Sequence, residues 1–99
     1  MTPIEFAPEV NDDFDRIFDH LAQYDPNNAA SHIREIIHAI AVLEHTPLIG
    51  KAVDNSKREL IIGRPPHGYI ALYRYLKRAN VVVILAIRSQ REIGYSRST

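Results

Sequence analysis

The second half of the chain carries several arginines, together with one histidine and one tyrosine, that could act on phosphate groups. A guanidinium group can bind a phosphate bidentately, and it can stabilise the charge of a phosphoryl transition state. A loop histidine could transfer a proton, and a tyrosine could stack on a base or transfer a proton. The residues concerned are Arg58, Arg64, His67, Arg74, Arg88, Arg91 and Tyr95. The five arginines are therefore candidates for binding a phosphate or a charged target.

A structural role is also open for some of these residues. Arg74 and Arg88 interrupt apolar strand faces, so each could instead pair with a carboxylate on the helices. His67 lies in the sequence Pro-Pro-His-Gly, and a loop histidine can simply be exposed or structural. The sequence leaves both the binding and the structural interpretations open.

Other kinds of chemistry lack the residues or the spacing that they need. The five histidines form neither a His-x-x-x-His pair nor a His-Glu-x-x-His motif, which argues against a zinc hydrolase. The chain has no cysteine, so it has no disulfide, no thiolate metal site and no cysteine nucleophile. It lacks both common glycine-rich phosphate loops, and its serines lie outside any nucleophile-elbow pattern. We therefore expect neither a metal nor a cofactor.

Three β-rich runs would position the candidate side chains. They span residues 58–63, 69–76 and 81–88, and the Gly, Pro and Asn residues between them predict an antiparallel meander. The last run is apolar at both parities, so it should bury both faces and lie centrally in the sheet. A short first run, residues 3–7, should join the sheet beside it. This arrangement predicts that the arginines and Tyr95 reach one end of the domain.

Two amphipathic helices separate the first run from the other three. The first should begin at Pro8, with acidic residues in its first turns, and end at Asp25-Pro26, where Asp25 could cap the second. Thr46-Pro47 should stop the second helix, and residues 48–57 should form a polar connecting loop. Helices joined this closely form an antiparallel hairpin, whose apolar stripes need the sheet as a partner.

The predicted fold class is α/β, more narrowly α+β, with one domain over residues 1–99. A helical hairpin should pack on one face of a small, mainly antiparallel sheet. The predicted core residues are Phe14, Ile17, Phe18, Leu21, Ile33, Ile36, Ile37, Ile40, Leu60, Val83, Leu85 and Ile87. If Ile37 is buried, its replacement by alanine should cost about 2–5 kcal/mol of stability.

The charges balance over the whole chain but are unevenly distributed. The formal net charge is zero, so overall charge gives no argument for binding nucleic acid or a membrane. Residues 1–50 nevertheless carry nine of the twelve acidic residues and two of the twelve basic ones. The basic half could form an anion-binding surface, or the two halves could be solvated faces of opposite sign. No secretory signal or membrane-spanning run is visible, and a cysteine-free chain suits the cytoplasm.

The order of the elements and three sequence stretches resemble the RelE/ParE superfamily of bacterial toxins. The stretches are Arg58-Glu-Leu-Ile-Ile, Gly68-Tyr-Ile-Ala-Leu-Tyr-Arg74, and Val83-Ile-Leu-Ala-Ile-Arg88 followed by Gln-Arg-Glu92. The resemblance covers nearly the whole chain and is strongest from Arg58 to Tyr95. It implies a cytoplasmic toxin of a type II toxin–antitoxin system, of the kind linked to plasmid stabilisation. It also implies a hetero-oligomer with an antitoxin that is encoded beside the toxin and neutralises it.

The superfamily has two functional branches. RelE-like members cleave mRNA on the ribosome without a metal, whereas ParE-like members poison DNA gyrase and lack most of the catalytic residues. Arg91 and Tyr95 approximately match an arginine and a tyrosine of the RNase branch, and His67 would complete the catalytic residues here. However, Ile70 stands where that branch can carry an arginine, and residues 59–62 contain no lysine pair. The resemblance therefore favours a gyrase inhibitor; the alternatives are an mRNA endonuclease and an inactive member that serves as an interaction module.

Overall fold

A helical hairpin and one five-stranded sheet make up the computed structural model, which describes all 99 residues. In chain order the elements are β1 (Ile4–Phe6), α1 (Val10–Tyr24), α2 (Ala29–Ile40), a 3-10 helix (Ala41–Glu44), β2 (Lys51–Ala52), β3 (Arg58–Ile62), β4 (Tyr69–Leu76) and β5 (Val81–Ser89). The strands lie in the order β1-β5-β4-β3-β2. The predicted α+β class is confirmed. Neither helix combines the length and the apolar character that crossing a membrane requires.

Strands β3, β4 and β5 form the predicted antiparallel meander. Strand β1 pairs in parallel with β5, with Ile4 opposite Val82 and Phe6 opposite Ile84, so the predicted place of the first strand is confirmed. The loop predicted over residues 48–57 is wrong in one detail, because it contains β2, which pairs with the start of β3. Strand β5 therefore has a neighbour on each side, while β4 occupies the middle of the sheet.

A β-bulge in β5 changes which of its residues face the helices. Leu72 lies opposite Ala86 and Tyr73 lies opposite Ile84, so Leu85 is an extra residue between them. A bulge shifts the alternation of side chains by one position. The predicted burial of Val83 and Leu85 in the core is therefore wrong, and both are half-buried outside it. Ile87, which the bulge brings to the helix side, is buried as predicted.

The hairpin packs on one face of the sheet, which we call the inner face. The core consists of eleven buried residues: Val10, Ile17, Ile36, Ile40, Leu43, Ile62, Ala71, Tyr73, Val82, Ile84 and Ile87. The predicted residues Phe14, Leu21, Ile33 and Leu60 pack against this core and are partly buried. The predictions for Phe18 and Ile37 are wrong, because they are 42% and 45% exposed. The apolar stripe of each helix is wider than the surface that the small sheet can cover, so residues at its margin stay exposed.

The helices begin later than their sequence signals indicated. Pro8 and Glu9 form the turn before α1, which starts at Val10. Asp25 does not cap α2; its carboxylate accepts a hydrogen bond of 3.0 Å from the Asn28 side chain, and α2 starts at Ala29. These shifts leave the antiparallel hairpin itself unchanged.

The outer face of the sheet carries no helix, yet several of its apolar side chains are buried. Ile70, Leu72 and Ala86 are 8%, 4% and 1% exposed. The segment after β5, residues 90–99, crosses this face, and we call it the tail. Its Tyr95 reaches Glu59 on β3 and lies under Arg88 of β5. The tail thus covers the face that the hairpin does not reach.

Candidate functional site

The candidate arginines lie at two opposite ends of the sheet. Antiparallel pairing places Arg58 opposite Tyr73, near the turn that joins β4 to β5, whereas Arg88 lies opposite Ile70 at the far end. The predicted gathering of all these arginines at one end is therefore wrong, because adjacent strands run in opposite directions. We call the end with Arg58 and Arg74 the turn end. The end with Arg64, His67, Arg88 and Arg91 is the loop end.

At the loop end, the loop between β3 and β4 is tied to the start of the tail. The guanidinium of Arg91 lies 2.9 Å from Nδ1 of His67, and both side chains are exposed. The Gln90 backbone N–H donates to the Gly68 carbonyl at 2.9 Å, and its side chain donates to the Ile62 carbonyl at 3.2 Å. A Cβ on Gly68 would lie 2.2 Å from that Ile62 oxygen, so only glycine fits. These contacts bring His67 and Arg91 together, as candidates for proton transfer or anion binding.

Arg64 occupies the same loop, but its side chain takes no part in these contacts. Its side chain is exposed, and its carbonyl accepts a hydrogen bond of 3.0 Å from the His67 backbone N–H. The turn therefore holds Arg64 beside the His67–Arg91 pair. Its guanidinium makes no hydrogen bond or ion pair within the chain, which leaves all of its donors free for an external anion.

Tyr95 belongs to a different group of contacts, on the outer face. Its hydroxyl donates a hydrogen bond of 2.6 Å to the Glu59 carboxylate. The Arg88 guanidinium lies 5.1 Å from the centre of its ring and donates to the Glu92 carbonyl at 2.8 Å. Burial, followed by the contact with Glu59, raises the pKa of Tyr95 well above its ordinary value. The tyrosine therefore keeps its proton at neutral pH, with its hydroxyl committed to Glu59.

At the turn end, Arg58 and Arg74 have different roles. The Arg58 guanidinium donates to the carbonyls of Leu48 and Gly50, at 3.2 Å and 2.8 Å, and so holds the loop before β2. The Tyr73 hydroxyl supports the same loop by donating to the Pro47 carbonyl at 2.8 Å. Arg74 is exposed, and its guanidinium makes no hydrogen bond within the chain. Arg58 thus has a structural role and keeps free donors, whereas Arg74 is wholly available.

Neither Arg74 nor Arg88 pairs with a helix carboxylate, so the pairing that the sequence left open for them is wrong. The arginines that do pair are Arg16 and Arg97, and both contact Asp13. Arg16 also binds the Glu92 carboxylate through two nitrogens, at 2.9 Å and 3.1 Å. The ion pairs therefore link α1 to the tail rather than to the strands.

Asp13 is the centre of this ion cluster and is 1% exposed. It accepts hydrogen bonds from Arg97 at 2.8 Å and 3.1 Å, from Arg16 at 2.9 Å, and from the Ile87 backbone N–H at 2.9 Å. Burial by itself raises the pKa of a carboxyl, but the hydrogen bonds from Arg97, Ile87 and Arg16 outweigh it and lower the pKa of Asp13. A buried carboxylate is thus kept ionised by its partners.

The cluster replaces a missing strand along the edge of β5. Strand β1 ends at Phe6, so the backbone groups of β5 beyond it have no strand partner. Asp13 accepts from the Ile87 N–H, Arg97 donates to the Leu85 carbonyl at 2.6 Å, and Arg16 donates to the Ile87 carbonyl at 3.1 Å. Buried backbone groups need such partners. The sequence contains one overlooked signal, since Asp13 lies on the same helix stripe as Val10 and Ile17.

The chain contains no arrangement that could hold a metal ion. No group of three or more His, Cys, Asp or Glu side chains comes together anywhere in the structure.

Comparisons with known proteins agree with this architecture. A family model described as the ParE toxin of the parDE type II toxin–antitoxin system matches residues 4–94. A solved structure titled "Chromosomal ParDE TA system from P. aeruginosa" superposes with a TM-score of 0.75 and covers 90% of this chain and 96% of that chain. The sequence identity is 22%, so this likeness concerns the fold alone. No curated protein matches the chain.

Proposed function

Because the chain belongs to the ParE toxin family of type II toxin–antitoxin systems, we propose that it inhibits DNA gyrase by binding it and that an antitoxin neutralises it. The observation that carries this proposal is the match of the family model over residues 4–94. That range includes every helix and strand of the fold. The protein would act by occupying a site on its target, with no reaction of its own.

The geometry at the loop end supports binding over catalysis. Phosphodiester cleavage without a metal needs a base, an acid and charge stabilisation at one place. His67 and Arg91 are in contact, but the Tyr95 hydroxyl donates to Glu59 on the outer face and its raised pKa disfavours ionisation. The alternative of a RelE-like mRNA endonuclease would require Tyr95 to leave Glu59 before it could act with the other two residues.

Controlled expression in bacteria tests the target directly. We expect DNA breaks to accumulate after induction while translation initially continues, because a gyrase poison leaves ribosomes intact. Purified gyrase incubated with DNA and the protein should yield cleaved DNA. Prompt cleavage of mRNA with intact DNA would contradict the proposal and support the endonuclease. Harmless expression of the folded protein would identify an inactive member that serves as an interaction module.

The surface of the hairpin suits an antitoxin segment. Phe18 of α1, Ile37 of α2 and Phe6 of β1 are 42%, 45% and 41% exposed, although all three are large and apolar. A disordered segment that folds on binding can cover such scattered residues over a large area. The basic sheet half adds complementary charge for an acidic segment. We therefore place an amphipathic segment of the antitoxin across the hairpin and the sheet edge, burying more than ~1,000 Å² in total.

Co-purification tests the partner separately from the target. The protein is co-expressed with each neighbouring reading frame, and the expected partner combines a DNA-binding N-terminal part with an amphipathic C-terminal part. Its binding should raise the melting temperature, because the partner binds only the folded state. Charged substitutions at Phe18 and Ile37 should weaken the complex without unfolding the toxin, since both sites are exposed. If no neighbour binds the protein or relieves its toxicity, the antitoxin proposal fails.

A further inference from the structure

Four cations surround one cavity at the turn end of the sheet. Lys57 and Arg58 lie at the start of β3, Arg74 lies near the end of β4, and Lys77 opens the turn that follows. The cavity has a volume of about 320 Å³. None of the four side chains forms an ion pair with a carboxylate. The repulsion among the four cations is therefore not relieved by an ion pair with any of them.

A single acidic residue, Asp54, lies on the wall of this cavity, and its carboxylate is directed into its own loop. It accepts hydrogen bonds from the backbone N–H groups of Ser56 and Lys57, both at 2.8 Å. The Ser56 hydrogen bond makes the largest contribution to lowering the pKa of Asp54, so the carboxylate stays ionised. One negative charge against four positive ones leaves the cavity cationic.

Two of the cations are held in place and two are free to adjust. Arg58 is fixed by the carbonyls of Leu48 and Gly50, and the Lys57 amino group contacts the Thr99 carbonyl. Arg74 and Lys77 are exposed and make no side-chain contact of this kind. Fixed groups lose little conformational freedom when a ligand binds, and mobile ones can close on it.

We propose that this cleft binds the phosphodiester backbone of a nucleic acid. Protein–protein interfaces are depleted in lysine, whereas nucleic-acid interfaces are strongly positive and polar. The cavity wall combines two lysines and two arginines with only Leu48, Ala52 and Tyr75 as hydrophobic neighbours. This composition favours a nucleic acid over an acidic segment of a protein. The inference goes beyond the action on gyrase, because it gives the protein a nucleic-acid ligand of its own. DNA and RNA carry the same phosphodiester backbone, so either could bind.

Fluorescence anisotropy with a labelled short duplex DNA, measured at several salt concentrations, tests the cleft. The logarithm of the binding constant should fall linearly with the logarithm of salt concentration, with a slope of about −0.9 for each phosphate neutralised. Arg74→Ala should weaken binding about tenfold, the loss of one charged hydrogen bond, and should reduce the slope by about 0.9. The matched control is Arg34→Ala, which removes an exposed arginine on α2 whose one side-chain hydrogen bond is to Ser31. This control should bind like the unaltered protein.

The other outcomes decide between nucleic-acid sources and partner classes. A labelled single-stranded RNA is measured in parallel, and the same loss for Arg74→Ala on either ligand supports the proposal and identifies which one binds. Arg74→Lys should keep the salt slope, because it retains the charge.

Absence of binding at low salt, or equal losses in the Arg74 and Arg34 variants, overturns the proposal. So does binding of poly-glutamate without binding of DNA or RNA, which would assign the cleft to a protein partner. Unchanged gyrase inhibition in a variant that has lost nucleic-acid binding would leave the proposed function intact.

Discussion

The two faces of the sheet are buried by different means. On the inner face, two helices bring a continuous apolar surface against Tyr73, Val82 and Ile84, each 0% exposed. On the outer face, the tail has no regular secondary structure and is held by a small number of polar contacts. The chief ones are Tyr95 to Glu59, Arg97 to Asp13, and Glu92 to Arg16. The inner face depends on area removed from water, and the outer face depends on a few directional contacts.

This difference has a consequence for stability and exposure. Apolar burial acts over many small contacts and does not depend on pH, whereas an ion cluster fails when one member is neutralised or removed. Loss of the tail contacts would expose Ile70, Leu72 and Ala86 and would leave the β5 edge unpaired. The outer face is therefore the part of this domain that can open without disrupting the helical hairpin.

The largest effect should follow from a cavity on the inner face. Ile36 is 1% exposed, and Ile36→Ala should reduce the free energy of unfolding by about 2–5 kcal/mol, through lost burial and the cavity left behind. Urea unfolding measures this loss. Ile37→Ala is the matched control on the same helix; at 45% exposure it should cost less than about 1 kcal/mol. Equal losses at the two positions would mean that the helix face is assigned incorrectly.

Removal of the buried charge should come next. Asp13→Asn keeps the size of the side chain but leaves Arg97 without a carboxylate and Arg16 with Glu92 alone, so we expect a loss of about 2–3 kcal/mol. The matched control is Asp25→Asn, because Asp25 faces His32 at 3.6 Å on an exposed surface and should contribute less than about 0.5 kcal/mol. A loss at Asp13 as small as the one at Asp25 would show that the cluster does not hold the tail.

The same cluster should make the stability of the protein sensitive to acid. The pKa of Asp13 is lower in the folded protein than its ordinary value of 3.8, so the unfolded state takes up a proton first as the pH falls. Its contribution is present above pH ~4 and is lost as the pH falls through the lower folded pKa. Urea titrations between neutral and acidic pH should therefore show the difference between the unaltered protein and Asp13→Asn shrinking on acidification. A constant difference would contradict the ionised state of Asp13.

The smallest effect should be at the tyrosine of the tail. Tyr95→Phe keeps the ring under Arg88 but removes the hydrogen bond to Glu59, and it should cost about 1 kcal/mol in urea unfolding. Tyr24→Phe is the control, because Tyr24 is 75% exposed and its hydroxyl has no partner in the chain. If the two substitutions cost the same, the contact between Tyr95 and Glu59 contributes nothing to holding the tail.

Local patterns were sufficient for most of the fold. The types of the predicted strands and helices, the meander, the hairpin and the placement of β1 beside β5 were all predicted from the sequence, mainly from periodicity and turn residues. The errors at Val83 and Leu85 have a specific cause, since one bulge at Leu85, opposite Leu72 and Tyr73 of β4, shifts the parity of β5. The errors at Phe18 and Ile37 reflect how much of each helix the sheet covers, which periodicity does not measure.

The candidate site was predicted less well than the fold. Residue types pointed to arginines on the sheet, and His67 and Arg91 do come into contact. The positions of the arginines in the sequence could not show that antiparallel pairing places Arg74 and Arg88 at opposite ends of the sheet. The role of Asp13 was also missed, because its partner Arg97 lies in the tail, about eighty residues further along the chain, as does Glu92, which binds its other partner Arg16. Contacts of that kind depend on the path of the tail after β5.

Sequence patterns predicted the two helices, the four longer strands, their order and the family, because these depend on side-chain periodicity and on short stretches of residues close together in the chain. Only the tertiary structure decided which faces are covered, which arginines are neighbours and which carboxylate is buried. Those properties depend on strand direction, on a single extra residue in β5 and on long-range hydrogen bonds. For this protein the cationic cleft at the turn end exists because residues from β3, β4 and the turn after it meet in space.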